Sequence, residues 1–210
     1  MRRASTPLAL WSLLLLAFVA LGGCRLGSEP PIRLYVLTPL APHTPALATL
    51  SARRVVIGVG PVTVPRYVDR LPIVTGHAGP ELQPAAYAQW AEPLRDSLVR
   101  VLAENVSLLL GTERVVLFPS KSPGALDYQV IVEVTHFLGE IGGETGLVAL
   151  WSLVGKQGKE VVARQKSSLR VSNTGRDYEA LAATMSQLVA TLSREIAAAI
   201  IALELPASHP

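Results

Sequence analysis

From residue 34 onward the apolar positions recur first every second residue and later, in two stretches, every third or fourth. The first period places side chains alternately on two faces of a strand, and the second lines one face of a helix. Leu34–Thr38 is a short β-rich run, and residues 39–50 hold three prolines without a clear period, which predicts a loop. Arg54–Val59 predicts a strand, because Val55, Val56, Ile57 and Val59 are β-branched and suit a pleated surface. Pro61 and Pro65 bracket Val62–Val64 as an edge strand or a kinked continuation, since proline brings no N–H to a ladder. Residues 66–84 predict a loop with a short hairpin around Ile73–Thr75 and Glu81–Leu82.

Near Tyr87 the period lengthens. Trp90, Leu94, Leu98, Val101, Leu102, Val106 and Leu109 fall on one stripe, which with Pro93 in the first turn predicts a helix over 91–110. Asp96 and Arg100 stand as an i,i+4 pair on its other face, and Gly111 suits the C-cap. Arg114–Phe118 predicts a strand stopped by Pro119. Asp127–Leu138 alternates, with Tyr128, Val130, Val132 and Val134 on one face and Gln129, Ile131, Glu133, Thr135 and Phe137 on the other. Residues 139–146 form a loop, Leu147–Val154 a central strand, 155–159 a polar turn, and Val161–Val171 the returning strand of an antiparallel meander. Asp177 is a suitable N-cap for a second helix over 178–203, striped by Tyr178, Leu181, Met185, Leu188, Leu192, Ile196, Ile200 and Leu203. Arg194 and Glu195 interrupt its surface, so it reads as a packing helix, not a membrane span. The expected fold is a two-layer α/β (α+β) domain over 34–205, with a mixed, mostly antiparallel sheet of about six strands and two helices on one face.

Composition changes the picture mainly at the N-terminus. The chain has 210 residues and a formal charge of +3. Arg2 and Arg3 precede Leu8–Leu21, a run of 14 residues broken only by Ser12, which fits a signal-peptide core and is short for a membrane span. Leu21, Gly22, Gly23 and Cys24 follow, and this group resembles the lipobox of bacterial lipoproteins. The alternative, an ordinary signal with a chance cysteine, is disfavoured because the only Cys in the chain occupies the one position a lipobox requires. The resemblance implies that Leu21, Gly22 and Gly23 guide the signal peptidase. Residues 1–23 would be cleaved, and Cys24 would carry a covalent diacylglycerol and an N-acyl chain. Two or more acyl chains anchor durably where one binds only marginally. Arg25 in place of Asp implies the outer-membrane default of enteric-type sorting. Residues 24–33 then form a tether reaching roughly 30 Å, and 206–210 a short tail. Loss of residues 1–23 removes two arginines and no acid, taking the charge from +3 to +1. Basicity therefore gives no reason to expect nucleic acid as a partner.

Candidate chemistry is sparse. There is no nucleophile elbow, phosphate loop or dinucleotide fingerprint, and Gly58-Val59-Gly60 runs directly into Pro61. The four histidines are scattered, which predicts no metal site. His136 reads as a hydrogen-bonded structural residue, and His77 has no acid or nucleophile at a suggestive spacing. Glu140 and Glu144 read as solvated loop acids, and Trp90 and Trp151 as core. No catalytic residue and no cofactor beyond the lipid on Cys24 are expected.

The segment Val59–Thr75 ends a strand in Val62-Thr63-Val64-Pro65, then adds Tyr67, the Asp69-Arg70 pair and Ile73-Val74. Together with Tyr35-Val36-Leu37, Trp90-Ala91-Glu92-Pro93-Leu94 and Leu150-Trp151-Ser152-Leu153, it resembles the ABC-type transport auxiliary lipoproteins, a family that includes the PqiC-like membrane-integrity lipoproteins. The resemblance implies a non-enzymatic periplasmic subunit of a lipid transport system in a Gram-negative bacterium. It would be anchored in the inner leaflet of the outer membrane. Its implied partners are an MCE-domain protein and an inner-membrane permease, and a ring-shaped partner would favour a homo-oligomer. A different class, a lipoprotein plug or activator of an outer-membrane assembly, lipopolysaccharide or peptidoglycan machine, is the alternative. Within the loop, Arg66, Tyr67, Asp69 and Arg70 are candidate partner contacts; the competing reading is that Asp69 and Arg70 pair with each other and hold its shape.

Overall fold

The computed structural model describes residues 29–50, 53–76, 79–119, 125–155, 159–172 and 174–204. Leu21, Gly22, Gly23, Cys24 and His77 lie outside them. In chain order the elements are β1 (Arg33–Tyr35), β2 (Ile57–Thr63), β3 (Pro72–Gly76), β4 (Leu82–Trp90), α1 (Leu94–Leu110), β5 (Val115–Leu117), β6 (Tyr128–Gly139), β7 (Glu144–Gly155), β8 (Glu160–Ser172) and α2 (Tyr178–Glu204).

The α+β class and the two packing helices agree with expectation. The sheet is richer than expected: eight described strands form two sheets, ordered β1-β4-β3 and β5-β2-β6-β7-β8. The smaller sheet arises because β3 turns back antiparallel as β4, with Gly76 opposite Leu82, and β1 joins the far side of β4 in parallel. In the larger sheet β6, β7 and β8 form the expected antiparallel meander, while β2 runs parallel to both β5 and β6.

Three local expectations need correction. Trp90 is the last residue of β4, not part of a helix; its N–H donates to Leu71 O at 2.7 Å, and the helix starts at Leu94 with Pro93 as its N-cap. Phe137 does not share the outer face of β6. A register shift between Val134 and His136 inserts an extra residue, so Phe137 turns inward and is fully buried. Val62 and Thr63 are the kinked continuation and not an edge. Gly60–Pro61 is cis, and the pairing of β2 with β6 slips between Val59 and Val62. Pairing with β5 ends at Val59, so on that side Pro61 faces no ladder that would need its missing N–H.

The core lies between the helices and the inner face of the larger sheet. Leu94, Leu98, Val101, Leu102, Val106 and Leu109 of α1 are buried, as are Leu181, Met185, Leu188, Leu192, Ile196 and Ile200 of α2. Helix α2 is long and apolar enough to cross a membrane, but this stripe is spent on the core. From β6 and β7 come Val130, Val132, Leu147, Ala149, Trp151 and Leu153. The one polar atom of the Trp151 ring is satisfied: Nε1 donates to Ser167 Oγ at 2.9 Å, and Ser167 donates in turn to Glu195 on α2.

Residues 36–50 cross the helix pair as a strap. Thr38 N donates to Ser186 Oγ at 3.0 Å and Leu40 N to Asn105 Oδ1 at 2.7 Å. Leu47 N and Leu50 N donate to the carbonyls of Leu109 and Leu110. Asn105, fully buried, also donates through Nδ2 to Ser193 Oγ at 3.1 Å, joining strap, α1 and α2 at one point. On the other face of the meander Glu133, Leu150 and Lys166 lie side by side across three strands, all exposed.

Candidate partner-docking site

The loop between β2 and β3 is built by its own backbone. Val68 N and Asp69 N both donate to Pro65 O, and Arg70 N donates to Val68 O at 2.9 Å. Val68 anchors the turn, only 3% exposed, whereas Tyr67 is 39% exposed and Arg66 and Arg70 face solvent. Such a turn holds its side chains out on a rigid base.

Asp69 does not pair with Arg70. Its Oδ1 accepts a hydrogen bond from Arg95 N at 3.2 Å, and its Oδ2 lies 3.9 Å from Arg95 Nη1. Pro93 cannot offer a side-chain cap, so the loop supplies one from 26 residues upstream. An acid at this end also favours the positive pole of the α1 dipole. Among the described residues no ion pair engages Arg66 or Arg70. The sequence-predicted contact set therefore divides: Asp69 is committed to α1, and Arg66, Tyr67 and Arg70 remain outward.

Beside this loop is an open groove of about 740 Å³. Pro61, Val64, Val99, Leu117, Phe118 and Pro119 give it an apolar wall, and Arg66, Asp69, Arg95 and Asp96 a charge-balanced rim. Its base is closely set. Phe118 N donates to Val59 O at 2.8 Å, and both Gly60–Pro61 and Phe118–Pro119 are cis. Gly60 has φ +123°, and a Cβ there would come within 2.1 Å of Phe118 O, so no other residue fits without displacing the backbone. Arg95 and the wall from residues 117–119 were missed by sequence reasoning, because they reach the loop from distant segments with no local signal.

Behind the groove, Arg100 binds Glu92 at 2.8 Å and Glu104 at 3.5 Å, and not the expected Asp96, which pairs with Arg95. The Ser97 hydroxyl and then the Arg100 guanidinium hold Glu92 below the usual carboxylate range, against a smaller opposing effect of burial. At the other end of α1, Gly111 adopts the left-handed cap conformation expected of it.

The remaining candidates stay dispersed. Trp90 and Trp151 are buried as expected. Asp177 caps α2 through Ala180 N at 2.8 Å. His136 is not hydrogen-bonded through its ring among the described residues; the ring rests over Gly146, and burial, then the charge of Arg170, lower its pKa. Glu144 opens β7 and binds Arg170 at 2.7 Å instead of standing free in a loop. Among the described residues no three His, Cys, Asp or Glu side chains could hold a metal ion.

The α+β domain thus presents a rigidly mounted loop beside an open, apolar-walled groove. The family model for the ABC-type transport auxiliary lipoprotein component matches residues 35–197, and the chain belongs to that family. Two crystal structures share the fold. One, of an uncharacterised protein, is 20% identical with a TM-score of 0.65 over 81% of this chain and 99% of its own. The other, protein XCC0632 of family DUF330 from Xanthomonas campestris, is also 20% identical, with a TM-score of 0.63 over 79% and 92%. No curated protein matches the chain.

Proposed function

We propose that this protein is a non-catalytic docking subunit of an MCE-type lipid transport system. Acyl chains on Cys24 would hold it in the inner leaflet of the outer membrane, where it supports membrane integrity. Its membership of a transport auxiliary family supports the system. The lipobox-like Leu21–Cys24 group supports the anchor, and Arg25 supports the membrane assigned. The observation that carries the docking role is the division of labour in the β2–β3 loop. Asp69 is tied to α1, while Arg66, Tyr67 and Arg70 project from a fixed turn beside an apolar groove. A periplasmic MCE-domain protein with acidic and apolar groups at its distal end is the partner this surface suits. The inner-membrane permease would be reached through that protein.

The test is affinity capture of the MCE-domain protein and its permease from membranes by the full chain and by an Arg66→Glu/Arg70→Glu variant. The reading predicts recovery with the native chain and loss with the variant at unchanged melting temperature. Recovery of a β-barrel assembly or a peptidoglycan synthase in place of the MCE protein would refute it. Replacing Cys24 by Ala is expected to release the protein from the membrane fraction, and retention there would contradict the anchor.

A further inference from the structure

We propose that the free edge of β8 is a second binding site, which accepts an extended acidic segment of another protein as an added strand. Strand β8 pairs with β7 from Glu160 opposite Gly155 to Ser172 opposite Glu144, with one bulge at Val162. It ends the sheet, so its other side has no strand neighbour among the described residues. The opposite edge, β5, is only three residues long. A long open edge offers a row of backbone donors and acceptors, and proteins normally shorten, cover or charge it. Here it is neither short nor interrupted by proline, and its protection is positive charge, which bars a like-charged strand and leaves the edge open to an acidic one.

Its charge selects the occupant. Arg164, Lys166 and Arg170 alternate on the outward face of β8, opposite Ser152, Leu150 and Gly146 of β7. Arg170 is engaged by Glu144, but among the described residues no ion pair engages Arg164 or Lys166. A second copy of this chain, paired antiparallel about Ser167, would set Arg164 against Arg170, and like charges opposed across a ladder repel. A strand with Asp or Glu at alternate positions places each acid against one of these cations, while main-chain hydrogen bonds supply affinity without demanding one sequence. Exposed Leu150 and Val161 extend the same face for an occasional apolar side chain. This site lies apart from the β2–β3 loop and does not depend on it.

The probe is an acetylated octapeptide alternating threonine and glutamate, with a threonine–lysine peptide as control, added to the full chain and followed by amide hydrogen exchange. The acidic peptide is expected to slow exchange in β8, and the basic one not to. Arg164→Glu/Lys166→Glu should weaken the acidic peptide by about tenfold or more and admit the basic one, whereas Arg66→Glu/Arg70→Glu should change neither. A reversed preference is readable only in a folded variant, so it also reports on integrity. Equal protection by both peptides, protection only outside β8, or dimerisation of the native chain through β8 would overturn the proposal. So would binding of phosphatidylglycerol vesicles that needs Arg164 and Lys166 while the peptide leaves β8 unprotected.

Discussion

Two segments without regular structure, the strap over 36–50 and the β2–β3 loop, differ in where their backbone donors go. The strap sends its amides into the helices, onto Ser186, Asn105, Leu109 and Leu110, and buries Leu37 and Leu50 beneath it. The loop closes its amides on itself at Pro65 and Val68 and leaves Arg66, Tyr67 and Arg70 outside. The strap, with no Asp, Glu, Lys or Arg over 36–50, is a structural brace, whereas the loop carries Arg66, Asp69 and Arg70 and turns two of those charges outward. A segment whose polar backbone is satisfied by the core cannot move without exposing unpaired groups. One satisfied internally can lose its outer side chains at little cost.

The largest effect should come from the strap. Leu37→Ala removes a fully buried side chain and is expected to cost about 2–5 kcal/mol in urea unfolding, against about 0.5 kcal/mol or less for Tyr67→Ala. Equal losses at the two sites would erase the distinction. Asp69→Ala stands between them, because it is the one loop side chain tied to a helix. Loss of the cap should cost about 1 kcal/mol and accelerate amide exchange in the first turn of α1. An unchanged first turn would show that the bond to Arg95 N holds nothing.

The smallest effects are in pH. Glu92 has a lowered pKa, so the stability it contributes is complete above its ordinary value of 4.5 and is lost as pH falls through the folded value. Tyr128, half-buried and bonded to Glu204 at 2.7 Å, is pushed up to about 12, so its contribution is complete below 10 and is lost between 10 and 12. Melting curves of Glu92→Gln should show a shallower acid limb and those of Tyr128→Phe a shallower alkaline limb. Limbs unchanged in the variants would assign them to other groups.

The helices and the meander were legible in the sequence because long periodic segments carry their own pattern. Trp151, Gly111 and Asp177 stand where that pattern places them. Strand β4 was legible only at its start, where the expected hairpin returns at Leu82. Leu82–Trp90 contains Pro84 and three alanines and no β-branched residue, and its state comes from pairing with β1 and β3. The spacing of Trp90, Leu94 and Leu98 imitated a helical stripe across a strand end. Phe137 was misplaced because a bulge reverses alternation without any change in composition. At the candidate docking site the exposed cations were readable as a loop signature. The bond from Asp69 to Arg95 was not, since it joins segments that only the finished fold brings together. The lipobox remains a sequence reading, outside the described residues.

The central claim is that Arg66 and Arg70 serve a partner and Asp69 serves the fold. Its most direct test is a binding isotherm of the MCE-domain protein on the full chain, set against melting temperature, for Arg66→Glu/Arg70→Glu and for Asp69→Ala. The account predicts that the arginine pair abolishes binding and leaves melting unchanged, while Asp69→Ala lowers melting and retains binding. Native affinity in the arginine variant would contradict it.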